Sequence, residues 1–265
     1  MKRCFIWFNM ALLPFIFSCR KERQVTKDIP CIPAGLDNHV IAFYSFANGS
    51  LNDLSGGNHH LTNSTNAQPT TDRNGTVDCA YEFTNTPVSN QFLHLTNTSF
   101  LNALNEFSVS VWYQALDSSS VPVKYESLVQ RGTGFSCPDR IGQWSVGLYD
   151  CRKAVFGRTN SVWDQQLSAS SCDDEYKLRT GVWVHLAATF KLQNLEMKIY
   201  RNGVLQNTSI GTANCSSGVP LYQDIGDLFV GQHFTGKLDD LVLFNKALTA
   251  QEVNGMMNIG TCCEP

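Results

Sequence analysis

From His39 onward the chain is a succession of short apolar runs broken by Gly, Asn, Asp and Ser. Phe107, Val109, Val111 and Tyr113 alternate with Ser108, Ser110 and Trp112, the period of two expected of a half-buried strand. Trp144, Val146 and Leu148 repeat the pattern, as do Val184, Leu186, Ala188 and Phe190. In MKIYRNGVLQN the Asn202-Gly203 pair sits between two β-prone runs, a strong hairpin signal. Many strands at short spacing with almost no helix predict an all-β, two-sheet antiparallel sandwich or jelly roll. One short C-terminal helix is expected: Thr249-Ala250-Gln251-Glu252 forms a capping box, with Leu248 and Val253 placed to staple across it.

The N-terminus follows a different pattern. Lys2 and Arg3 precede an almost wholly apolar run, Phe5 to Phe17. That run is too short to span a bilayer but fits the core of a secretory signal. It ends Ile16-Phe17-Ser18-Cys19, with Arg20, Lys21, Glu22 and Arg23 immediately after. A small residue directly before Cys, following an aliphatic one, resembles a bacterial lipobox. That resemblance implies cleavage before Cys19 and a lipid on its thiol; the alternative is an ordinary signal peptide with a chance cysteine. Residues 20–36 are charged, carry Pro30 and Pro33 and lack periodicity, as a tether does. The organisation expected is a signal peptide over 1–18, lipidated Cys19 and tether over 19–36, and one domain over 37–265, without internal repeat. The expected location is the cell envelope, in the outer membrane or facing the periplasm.

Cysteine usage agrees with export. Apart from Cys4 and Cys19 the chain has Cys31, Cys79, Cys137, Cys151, Cys172, Cys215, Cys262 and Cys263, an even set that an oxidising compartment lets pair. Their pairing is not deducible from sequence, although Cys31 before the first strand and Cys262 or Cys263 after the last would clasp the termini. No C-x-x-C or zinc-finger spacing occurs, which argues against a thiolate metal site. The 20 Lys and Arg face 23 Asp and Glu; without Lys2 and Arg3 the count is 18 against 23, a formal charge of −5. That mild acidity, with no basic patch, argues against nucleic acid as a partner.

Six ordered blocks resemble bacterial laminin-G-like domains: VIAFYSFANGSLNDLSGGNHH, TTDRNGTVDCAYEF, FSVSVWYQA, WVHLAATF, MKIYRNGVL and FVGQHFTGKLDDLVLFNKALTAQEV. They run from about Val40 to Val253 and imply a concanavalin A-like jelly roll. Two positions depart from the family pattern. Ala47 stands where an acidic residue is frequent, and Cys79 where a small residue is usual, consistent with an added disulfide. Several relatives bind calcium between the first loop and the last strand, and the resemblance carries that expectation onto Asn48, Asp53 and Asp239. Calcium needs six to eight oxygen ligands, which two carboxylates with amide and backbone oxygens can supply. The structural alternative is that these Asx side chains close their own loops.

Glycosidases share this sandwich, so a catalytic reading requires a matching set of acids in the sequence. Retaining chemistry requires two carboxyls about 5–5.5 Å apart, delivered by acids two or four residues apart on one strand. Glu106, Glu126, Glu196 and Glu252 are each isolated from such a partner, and Glu82 and Glu175 have only a single acid at that spacing (Asp78 and Asp173). Asp173-Asp174-Glu175 are consecutive, and no Glu-x-Asp-x-(x)-Glu triplet occurs. GQHFTGKL resembles a Walker A loop but has Leu238 at the magnesium position and leads into a strand. QWSVG around Ser145 lacks the first Gly of a nucleophile elbow. His59-His60 reads as a solvated loop, and His185 as packed on its strand.

For ligand binding, Trp163 in the long segment GRTNSVWDQQLSASSCDDEY is a candidate aromatic platform, with Arg158, Asn160, Asp164 and Gln165 for polar contacts. The alternative is that Trp163 plugs the sandwich edge. The function expected is a lipid-anchored, non-catalytic module binding a carbohydrate or glycoprotein. A structural or adhesive envelope protein acting through protein contacts is the alternative, and a diverged glycoside hydrolase a lesser one.

Overall fold

The computed structural model describes residues 28–86, 89–116, 125–132, 142–149, 152–158, 164–165, 181–210, 226–260 and 262. The expected signal peptide, Cys19, Asn160, Trp163, Cys137, Cys151, Cys172, Cys215 and Cys263 lie outside them. The strands run β1 (Val40–Tyr44), β2 (Gln68–Thr70), β3 (Ala80–Phe83), β4 (Leu93–Leu95) and β5 (Glu106–Ala115). Next are β6 (Tyr125–Gly132), β7 (Gly142–Tyr149), β8 (Lys153–Arg158), β9 (Asp164–Gln165) and β10 (Trp183–Lys191). Then come β11 (Glu196–Arg201), β12 (Val204–Ile210), β13 (Leu228–Val230) and β14 (Gly236–Phe244), followed by the helix α1 (Ala250–Met257).

Among the described residues these strands form two antiparallel sheets. The eight-stranded sheet is ordered β12-β11-β10-β5-β14-β3-β2 with β1 also paired to β14, and the six-stranded sheet is ordered β4-β13-β6-β7-β8-β9. One edge of β14 serves two partners: Gly236–Leu238 pair with β3 and Leu241–Phe244 with β1. Its pairing with β5 slips between Asp239 and Val242, where Asp240 adopts φ 43°. The bulge therefore sits at the change of partner and re-aims two consecutive acidic side chains.

Period-two patterning produces the core. Phe107, Val109, Val111 and Tyr113 of β5 meet Trp144, Val146 and Leu148 of β7 across the sandwich, all within 5% exposure. The hairpin from β11 to β12 turns on Asn202 at φ 47° and Gly203 at φ 74°, the paired left-handed conformations that Asn-Gly favours.

A second apolar layer covers the outer face of the eight-stranded sheet. Phe43, Tyr200, Val242 and Phe244 pack there against Val253 and Met256 of α1. The capping box forms as expected, with the Glu252 amide donating to Thr249 Oγ1 and the Glu252 carboxylate accepting from the Thr249 amide. Residues 29–36, read from sequence as the end of a tether, lie against this layer instead. Ile29, Ile32 and Leu36 are buried, and Asp37 Oδ1 accepts from the Ile29 amide. Their three-to-four spacing was obscured by the prolines and the charged residues before them.

Candidate functional site

Asp53 organises the first loop. Its carboxylate accepts from the amides of Phe43 (3.0 Å), Ser55 (2.8 Å) and His59 (3.1 Å) and from the Ser55 hydroxyl (2.8 Å). Burial pushes its carboxyl up, but these donors outweigh it and hold it below the usual range. Asn48 lies in the preceding turn at φ 55°. The carboxylate of Asp53 is thus engaged by its own loop, and that of Asp239 by an arginine described next. Among the described residues, no group of three or more His, Cys, Asp or Glu side chains is placed to hold a metal ion.

Across the outer face of the eight-stranded sheet, His185, Trp112 and Asp239 form one cross-strand row on β10, β5 and β14. Arg73, from the loop between β2 and β3, lies over this row. Its guanidinium is 4.9 Å from the Trp112 ring centroid, a cation–π contact. Nη1 meets Asp239 at 2.5 Å and Asp240 at 2.6 Å, and Nη2 donates to the carbonyls of Ile259 (3.3 Å) and Gly260 (2.7 Å). One buried cation therefore faces two buried carboxylates. Burial raises both carboxyls, and for Asp239 the charge of Asp240 adds to it. His185 is fully buried, with Nε2 2.9 Å from Ser110 Oγ. Burial first, and the Arg73 charge second, push its imidazole down to about 3, so it is neutral. The arrangement locks the C-terminal tail onto the sheet.

Two further carboxylates are engaged in internal contacts. Glu126, 3% exposed, is ion-paired with Arg152 at 3.3 Å. Glu106 accepts from the Ala247 amide at 3.2 Å. Of the expected ligand-binding residues, Arg158 pairs with Trp144 at the end of β8, while Asp164 and Gln165 form β9 against Phe156 and Val155. The structure thus brings three of these five onto one edge of the six-stranded sheet. At the opposite edge, Phe92, His94 and Phe229 cluster on its outer surface.

A family model described as the concanavalin A-like lectin/glucanases superfamily, Laminin_G_3, matches residues 84–254. The chain belongs to this superfamily. Solved structures with the superfamily's sandwich resemble it at low identity. The binding domain of botulinum neurotoxin DC, solved in complex with rat synaptotagmin II, aligns with TM-score 0.62 and 15% identity over 84% of this chain. A structure reported for cell entry of botulinum neurotoxin type C, dependent on two ganglioside molecules, gives 0.62 and 16% over 85%. The binding domain of Paraclostridial Mosquitocidal Protein 1 gives 0.62 and 16% over 84%. This chain covers 52% of each of those chains. No curated protein matches it.

Sequence reasoning missed Arg73, Trp112 as its platform, and the Phe92–His94–Phe229 cluster. Arg73 stands inside one of the blocks resembling the superfamily, but its acid partners are 166 and 167 residues away, beyond any local pattern.

Proposed function

We propose that this protein is an exported, lipid-anchored binding module whose ligand is a glycan or glycoprotein, and that it carries no catalytic activity. The observation that carries this reading is the sandwich itself, shared with two domains described as binding domains and with a structure concerned with gangliosides. The engagement of Asp53, Asp239, Asp240 and Glu126 in internal contacts supports the non-catalytic part, because hydrolysis needs carboxyls facing a substrate. The expected test result is retention of the full chain on at least one glycan of an array, unchanged by a calcium chelator, with no reducing ends released from polysaccharides. Reducing-end release would overturn the non-catalytic part.

Fold likeness to a domain solved with synaptotagmin II also favours a second reading, a module acting through protein contacts. Co-purification of one stable envelope protein without glycan retention would select it. Lipid anchoring is tested separately: fatty-acid label should enter the wild type and be absent from Cys19→Ala.

A further inference from the structure

Phe92, His94 and Phe229 stand at the β4 edge of the six-stranded sheet, on its outer face. His94 and Phe229 are cross-strand partners, while their neighbours Leu93, Leu228 and Val230 point inward and are fully buried. The His94 and Phe229 rings lie 4.7 Å and 21° apart, and Phe92 meets them edge-on at 6.0 and 5.3 Å. The two phenylalanines belong neither to the core between the sheets nor to the apolar layer on the other sheet. All three rings are half-buried. His94 Nε2 contacts Asp227 Oδ2 at 3.0 Å, and their side chains are 22% and 41% exposed. The cross-strand row continues through Gln130, whose amide meets Gln232.

The outer face of an edge strand is ordinarily polar, because apolar rings there gain little from core burial and invite association. A partner that is apolar on one face and hydroxylated around its rim matches rings bordered by a carboxylate and an amide. A pyranose presents both: C–H groups on one face and hydroxyls at its edge. Resting on the glycan-binding reading above, we infer that Phe92, His94 and Phe229 form the subsite that takes the apolar face of a pyranose ring, with Asp227 and Gln232 hydrogen-bonding its hydroxyls.

The test is binding of the full chain to an array of hexose, N-acetylhexosamine and uronic-acid oligosaccharides, with thermal midpoints measured on every variant. Phe229→Ala and Phe92→Ala should each weaken retention about ten-fold, while Phe229→Trp, which keeps a ring, should stay within about three-fold of wild type. Asp227→Asn, an exposed change that spares the packing, should weaken it several-fold. Wild-type retention that survives Phe229→Ala, Phe92→Ala and Asp227→Asn in folded protein overturns this subsite and leaves the glycan reading standing. Loss confined to Trp163→Ala does the same and places the ligand at that segment. A wild type retained by no glycan overturns both.

A different observation carries a second inference. Cys31 packs against the outer apolar layer that contains Cys262, and the Cys262 thiol donates to the carbonyl of Gly260, which Arg73 also holds. The tail and the docked N-terminal segment therefore meet at these two thiols. We propose that after export Cys31 and Cys262 form a disulfide. Both thiols lose their protons, an S–S bond forms, and two electrons pass to a protein disulfide that is reduced to two thiols by exchange. Peptide mapping without reduction should recover the two cysteines linked, and Cys31→Ser/Cys262→Ser should lower the thermal midpoint and reduce the drop in midpoint that reductant causes. Recovery of both as alkylated thiols in protein purified from the envelope overturns it.

Discussion

At the scale of single residues, Arg73 shows how one side chain can hold a surface together. It is the shared counter-ion of Asp239 and Asp240, with side chains 8%, 3% and 1% exposed. Removing one member of a buried ion pair leaves uncompensated charge, so Arg73→Met should cost about 3–5 kcal/mol in urea unfolding. Raising the acids' protonation at low pH should recover part of that loss. His185 supplies a pH signature. Its folded value of about 3 lies below its ordinary 6.5, so the unfolded chain takes the proton first and stability falls as pH drops through that window. Against His185→Gln, the wild type should lose about 1.4 kcal/mol more per pH unit between pH 6 and 4. Equal slopes would show that His185 is protonated in the fold. Asp239 and Asp240 have raised values and act with the opposite sign, so only this difference isolates the histidine.

At the scale of elements, turns decide register where strands meet at odd angles. Gly231, between β13 and β14, has φ 78°, and a Cβ there would come 2.4–2.6 Å from the Phe83 ring. Gly75 has φ 88° with nothing within 4 Å of the same atom. Gly231→Ala should therefore cost about 1–3 kcal/mol more in thermal or urea unfolding than Gly75→Ala, which bears backbone strain alone. Strand identity along β5, β7 and β10, the Asn-Gly hairpin and the cap of α1 were legible in the sequence because each rests on neighbours within a few residues. The bulge of β14 was not, because it arises where one strand edge passes from β3 to β1. Nor was the docking of residues 29–36, whose apolar positions acquire meaning only against Phe43, Val242 and Phe244.

At the scale of the whole molecule the sandwich has a second, outer apolar layer closed by the two ends of the described chain. A chain stopped after Asn245 lacks Leu248, Val253 and Met256 and uncovers part of the layer containing Tyr200 and Phe244. Such a chain should bind a hydrophobic dye and show a lower thermal midpoint. Retention of the wild-type midpoint would mean that this layer contributes little. Composition, strand periodicity and the order of six blocks determined the all-β class, the jelly roll and the C-terminal helix, since those depend on local alternation and capping. Only the tertiary structure decided the chemistry of the surface. It drew Asp53 into its own loop, gave Asp239 and Asp240 to an arginine from a distant loop, and set Phe92 and His94 beside Phe229 across a sheet edge. Those partners are joined by cross-strand pairing and burial, which long sequence separations conceal.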